Sequence, residues 1–202
     1  MKIGVLGSGK GSNFDAIYEA AESSLLDVDI TVVISDVENS LILKKAKERG
    51  IKSFYMCPGK HKTWLEPDIE KEYVNVLREN GVELIVLAGF MRVIKDPLLL
   101  AFPGKIVNIH PSLLPSFRGL KAWEQAVTYG VKYAGCTVHF VEKDVDTGPI
   151  ICQAVVPVNS DDTPEDLHKR IQVEEHRIYP QAIDLVVKGN MRIENRKIIL
   201  TE

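Results

Sequence analysis

The 202 residues, 45% of them hydrophobic, are enough to bury a sizeable core and exclude a small disulfide-stapled scaffold. Twenty-five basic residues against 28 acidic ones leave a net charge of −3, so no charge excess calls for nucleic acid or an anionic membrane as partner. Cys57, Cys136 and Cys152 form no CxxC pair, and an odd number is a poor disulfide framework, so a reducing cytoplasm is expected.

The chain opens on Met1-Lys2-Ile3-Gly4-Val5-Leu6-Gly7, whose apolar run is too short for a signal-peptide core and reads as a first strand. Strand-like runs at 2–6, 30–35, 52–55 and 84–88 then alternate with helix-period segments at 13–23, 39–49 and 67–80. All fall well short of the roughly 20 apolar residues of a membrane span. Consecutive apolar residues such as Ile85-Val86-Leu87 fit a parallel sheet with helices on both faces. A fifth strand follows at 105–109, a short helix at 121–129, and strands at 136–141 and 150–156. The last two are joined by Glu142-Lys143-Asp144-Val145-Asp146-Thr147-Gly148-Pro149, a connector long enough to reach a pocket. A long helix opens at Thr163-Pro164-Glu165-Asp166, where Thr163 can cap, Pro164 suits the first turn and the acids favour the positive end. Pro180 is expected to kink it, and 191–200 reads as a hairpin around Glu194-Asn195-Arg196. No repeat or linker interrupts the chain, so one domain over 1–202 is expected.

Two places carry chemistry. Gly7-Ser8-Gly9-Lys10-Gly11-Ser12-Asn13 lies between a strand and a helix, where small residues let backbone amides approach an anion. Its spacing is neither the dinucleotide fingerprint nor a Walker A motif, so a phosphate cradle competes with a tight turn capped by Ser12 or Asn13. In Lys105-Ile106-Val107-Asn108-Ile109-His110-Pro111, strand alternation sets Asn108 and His110 on one face, and Pro111 ends the strand. That places both at the carboxyl end of a parallel sheet, where open α/β folds bind ligands. An amide donor beside an imidazole can stabilise an oxyanion and shuttle a proton; the pair can equally be structural, as a turn cap and a backbone-bonded histidine. The loop 111–119 is too apolar for a solvated linker and either lines a pocket or is a buried Ω-loop. The five histidines show no HExxH spacing, so no metal is expected, and His139, flanked by Val138 and Phe140, reads as a packed histidine.

Asn108-Ile109-His110-Pro111-Ser112-Leu113-Leu114-Pro115, followed by Asp146-Thr147-Gly148-Pro149, resembles the signature of the formyl-transferring folate enzymes. The likeness also takes in Gly9-Lys10-Gly11-Ser12-Asn13, Leu87-Ala88-Gly89-Phe90-Met91-Arg92, Gln172-Val173-Glu174-Glu175-His176 and Tyr179-Pro180, and covers essentially the whole chain. It is greatest to the branch that formylates 5'-phosphoribosylglycinamide in purine (IMP) biosynthesis.

The resemblance implies an open, mostly parallel Rossmann-like α/β sheet and 10-formyltetrahydrofolate as co-substrate. It implies Asn108, His110 and Asp146 as the catalytic residues; on sequence chemistry alone Asp146 reads as readily as a turn aspartate. Gly11, Ser12 and Asn13 would hold the substrate phosphate, and Gln172, Val173, Glu174 and Glu175 its ribose and glycinamide. Met91, Arg92, Val93 and Ile94, with Asn108 and the loop Glu142, Lys143, Asp144, Val145 and Asp146, would border the folate. Relatives often place a basic residue near the folate glutamate tail; here Glu66 stands in that neighbourhood, Lys60 and Lys62 lie slightly upstream, and Lys62 is the candidate. A role for His176 rests on the resemblance alone. The expected partners are small molecules, with no nucleic acid and no membrane, and the expected state is a monomer or homodimer.

Two kinds of rival remain. A formyltetrahydrofolate hydrolase would share the three catalytic residues but would need no phosphate cradle, and its relatives carry an N-terminal domain ahead of the first strand. A methionyl-tRNA formyltransferase would need a basic RNA-binding extension. Outside catalysis, the chain could be a module that binds a phosphorylated metabolite without turnover.

Overall fold

The structure is a computed structural model and describes residues 1–201. The backbone divides into two compact units, Met1–Asn108 and the residues from Ile109 onward.

The first unit alternates strand and helix: β1 (Lys2–Leu6), α1 (Ser12–Glu22), β2 (Asp29–Ser35), α2 (Leu41–Glu48), β3 (Ser53–Tyr55), α3 (Pro67–Glu79), β4 (Leu84–Leu87), α4 (Asp96–Ala101) and the start of β5 (Ile106–His110). Its strands are parallel, in the order β3-β2-β1-β4-β5. Ile3, Val5 and Leu6 of β1 and Leu84, Ile85 and Val86 of β4 are fully buried, the mark of central strands covered on both faces. Phe14 and Ile17 of α1, Ile42 and Ala46 of α2, and Tyr73 and Leu77 of α3 supply the covering faces.

The departures from expectation are local. Helix α2 begins at Leu41 because Ser35 Oγ accepts from the Val37 amide and from Ser40 Oγ, holding 36–40 in a turn. Helix α4 has six residues, too few for a periodic pattern to show.

Register aligns the site. Leu6 pairs with Leu87, and Leu87 with Asn108, so the ends of β1, β4 and β5 lie in one row. The order reverses between β1 and β4, the kind of switch point at which open α/β sheets bind ligands.

The second unit holds the end of β5, then α5 (Ala122–Tyr129), β6 (Tyr133–Phe140), β7 (Ile150–Pro157), α6 (Pro164–Lys188), β8 (Met191–Glu194) and β9 (Lys197–Leu200). Strands β6 and β7 are antiparallel, as are β8 and β9. Strand β6 starts three residues earlier than expected, since Ala134 and Gly135 lack the branched or aromatic side chains that signal a strand. Thr163 caps α6 as expected, and Asp166 completes a reciprocal cap by accepting from the Thr163 amide. The helix continues through Pro180 for 25 residues and ends on Gly189 in a left-handed conformation. Among the described residues no helix is long and apolar enough to cross a membrane.

Candidate active site

The glycine loop of the first unit offers backbone rather than side chains. Gly11, with φ 71°, stands at the N-cap of α1 and has no side chain with which to cap it. A Cβ on Gly11 would lie 3.0 Å from Ile42 Cβ, and an L side chain rarely takes that φ, so glycine is required twice over. The loop is tied at its other end: the Ser8 amide donates to the Gly89 carbonyl at 3.0 Å, and the Met91 amide to Ser8 Oγ at 2.8 Å. The result is a fixed loop opening an uncapped helix N-terminus, the arrangement that favours an anion.

Asn108, half-buried, closes the first unit, and His110 follows two residues later on β5. His110 is 5% exposed. One ring nitrogen, Nε2, lies 2.9 Å from the Phe117 carbonyl; that oxygen can only accept, so Nε2 carries a hydrogen. The other, Nδ1, faces Asp146 Oδ2 at 3.3 Å. Proton exchange within the pair is therefore available only at Nδ1, which faces a carboxylate whose side chain is only 9% exposed.

The Asp146 carboxylate is fixed further by the Gly119 amide, which donates to Oδ2 at 2.8 Å. Its backbone is left-handed, with φ 53°, an uncommon state for a residue other than glycine and one that clusters at functional sites. His139 is the residue that sequence reasoning undervalued. It is packed, 2% exposed, as expected, yet its Nε2 stands 3.7 Å from Asp146 Oδ1. Burial holds its pKa below the usual histidine range, opposed by its bond to the Phe140 carbonyl and by the Asp146 charge, and reinforced by His110. The apolar neighbours Val138 and Phe140, also buried, give no hint of this, because the acid that His139 meets lies on a loop.

The family described as formyl transferase matches residues 1–183. The chain belongs to the formyl transferase family. The chain is 41% identical over 193 residues to the phosphoribosylglycinamide formyltransferase of Bacillus subtilis, covering 96% of this chain and 98% of that one. It is also 41% identical to part of the human trifunctional purine biosynthetic protein adenosine-3, of whose length it spans 19%. Among solved structures, glycinamide ribonucleotide transformylase 1 from Symbiobacterium toebii matches with a TM-score of 0.96 and 46% identity, covering 100% of this chain and 94% of that one.

Within this formyl transferase the remaining sequence-derived residues fall into distinct settings. Met91 is 54% exposed while Ile94 is buried, and the Val93 amide is taken by the Thr63 carbonyl at 2.8 Å. Arg92 is turned inward: its Nε donates to Asp36 Oδ2 at 2.6 Å and Nη1 to the His61 carbonyl at 2.7 Å. Lys62 is exposed, in the same loop as the stacked rings of His61 and Trp64, over which Lys95 Nζ lies 3.7 Å from the Trp64 centroid. Glu142, Asp144 and Asp146 line a cavity of about 520 Å³ together with Leu114, Arg118 and Arg196, whereas Lys143 and Val145 are exposed. The run on α6 does not present one surface: Val173 is 67% exposed, Glu175 is 5% exposed, and Glu174 Oε2 is bound by Arg177 at 2.6 Å. Successive helical residues turn by about 100°, so four in a row cannot share a face.

Proposed function

We propose that this chain transfers the formyl group of 10-formyltetrahydrofolate to the amine of 5'-phosphoribosylglycinamide, giving the N-formyl ribonucleotide and tetrahydrofolate, in purine biosynthesis. The observation that carries the reading is the His110–Asp146 pair, 3.3 Å apart and nearly closed to solvent, in a member of the formyl transferase family. The whole chain serves as one formyltransferase domain, acting in the cytoplasm on small-molecule substrates; its three free cysteines fit a reducing compartment.

Each residue type has a task in that reaction. A bond forms between the amine nitrogen and the formyl carbon while the bond from that carbon to N10 breaks, and the amine proton ends on N10. Negative charge grows on the formyl oxygen meanwhile. The Asn108 side-chain amide and the His110 imidazolium donate to that oxygen, each such donor contributing about 3 kcal/mol. Asp146 balances the charge of the imidazolium and accepts the amine proton, directly or through water. Gly11, Ser12 and Asn13 hold the phosphate, for which the uncapped start of α1 is suited. From the run Gln172, Val173, Glu174 and Glu175, the side chains on the face of α6 turned to the substrate serve the ribose and glycinamide. Met91, Arg92, Val93 and Ile94 and the loop 142–146 border the pterin. Lys62 meets the glutamate tail.

The test is to mix purified protein with formyl-tetrahydrofolate, with and without glycinamide ribonucleotide, and follow the formyl group. Loss that depends on the ribonucleotide, with formyl appearing on its amine, is expected. Release as free formate without ribonucleotide would make the chain a hydrolase, and no loss in either mixture would leave only a binding module.

A further inference from the structure

The C-terminal hairpin turns on two residues, Asn195 and Arg196, between the paired Glu194 and Lys197. Both have positive φ, 45° and 73°. Turns of this kind favour Asn at the first position and Gly at the second, so Asn195 is at home and Arg196 is not. A long charged side chain held in a glycine conformation calls for an explanation, and its contacts supply one. Arg196 Nη2 donates to the Thr147 carbonyl, and Nη1 lies 3.7 Å from Glu142 Oε2. One guanidinium therefore grips both ends of the loop between β6 and β7, the loop that carries Asp146.

That loop needs holding. The left-handed backbone of Asp146 persists only where its surroundings over-determine it. Gly119 and His110 fix the carboxylate from one side, and Thr147 Oγ1 donates to the Asp144 carbonyl at 2.9 Å. Gly148 packs so closely on the Phe140 carbonyl that no side chain would fit there. The peptide between these points, whose carbonyl belongs to Thr147, is the one that Arg196 takes. The turn itself cannot slide, because Lys197, next to Arg196, is paired with Ile150 at the start of β7. Arg196 lies beyond the stretch matched by the family.

We propose that Arg196 is a positioning residue for formyl transfer, its guanidinium clamping the 142–148 loop so that the Asp146 carboxylate stays against His110 Nδ1. The proposal rests on the function proposed above and adds to it a residue that touches no substrate. Without the clamp the Thr147 peptide can rotate, Asp146 relaxes towards negative φ, and its carboxylate leaves the imidazole.

Arg196→Gly is the informative variant, because glycine suits the turn and leaves the hairpin intact while removing the guanidinium. The expected result is a fall in kcat of about tenfold or more, the scale of a misplaced catalytic group, with KM for glycinamide ribonucleotide changed by less than about twofold and the thermal midpoint unchanged or raised. Amide hydrogen exchange at Thr147 and Gly148 should quicken in the same variant. Arg196→Lys should recover part of both effects, since an ammonium can reach the Thr147 carbonyl. A normal kcat in Arg196→Gly, or a loss of rate with exchange at 147–148 unchanged, overturns the proposal. If the wild-type protein transfers no formyl group at all, the proposed function fails, while the exchange measurement still decides whether the clamp exists.

Discussion

The loop after β1 and the loop before β7 are built from different materials. The first offers main-chain amides: Gly11 sets the backbone, no side chain caps α1, and Ser8 is anchored by Gly89 and Met91. The second offers individual side chains: Asp146 is held by Gly119 and His110, with His139 alongside. A site made of amides tolerates changes of side chain but not an added Cβ, whereas a site made of one carboxylate fails when that carboxylate changes. On the function proposed above, the first loop would serve binding and the second chemistry.

The largest effect expected is at the second loop. Asp146→Asn keeps the shape but removes the charge, and kcat should fall by about a hundredfold or more with little change in thermal midpoint. Near-normal turnover would erase the contrast between the loops. Asn108→Ala should lower kcat by a comparable or somewhat smaller factor, about a hundredfold, with substrate KM nearly constant; a defect confined to KM would move Asn108 from chemistry to binding. At the first loop the signature should invert. Gly11→Ala forces a left-handed alanine against Ile42, costing about 1–2 kcal/mol of stability, and should raise KM for the phosphorylated substrate more than it lowers kcat. An Ala variant with unchanged KM would count against the phosphate cradle.

The smallest effect lies away from both loops. Glu70 is fully buried; its Oε1 accepts from the Lys95 amide at 2.7 Å, and its Oε2 has no hydrogen-bond partner among the described residues. Burial pushes its pKa above the usual 4.5, against the opposing pull of Lys95. The fold therefore binds a proton more readily than the unfolded chain does, and ionised Glu70 destabilises the fold at neutral pH. That penalty disappears as pH falls through the raised pKa towards 4.5. Glu70→Gln should accordingly raise the thermal midpoint at pH 7 by a few degrees, about 2–4 °C, with the advantage shrinking on acidification. A difference between the two proteins that stays constant from pH 7 to 4 would show that Glu70 is ionised with no penalty.

Much of this was legible in the sequence, and the unread parts share a cause. Apolar runs, the Thr163 cap and the Asn195 turn are local signals, and the elements they foretell are present with small shifts. The parallel sheet follows from consecutive buried residues such as Ile85-Val86-Leu87, and the pairing of Asp146 with His110 came from the family signature rather than from spacing. What stayed hidden depends on contacts distant in sequence. The binding of Arg92 to Asp36, 56 residues away, is one such contact. His139 beside Asp146 and Arg196 across the 142–148 loop are likewise tertiary facts, as is the inward turn of Glu175 on α6.

The proposed chemistry depends most on the position of one proton, and nitrogen NMR of the His110 imidazole reads it directly. With the Phe117 carbonyl able only to accept, Nε2 should carry a hydrogen, and the Nδ1 signal should change on Asp146→Asn. A neutral ring carrying its hydrogen on Nδ1, with a bare Nε2 and no response to the Asp146 change, would contradict it.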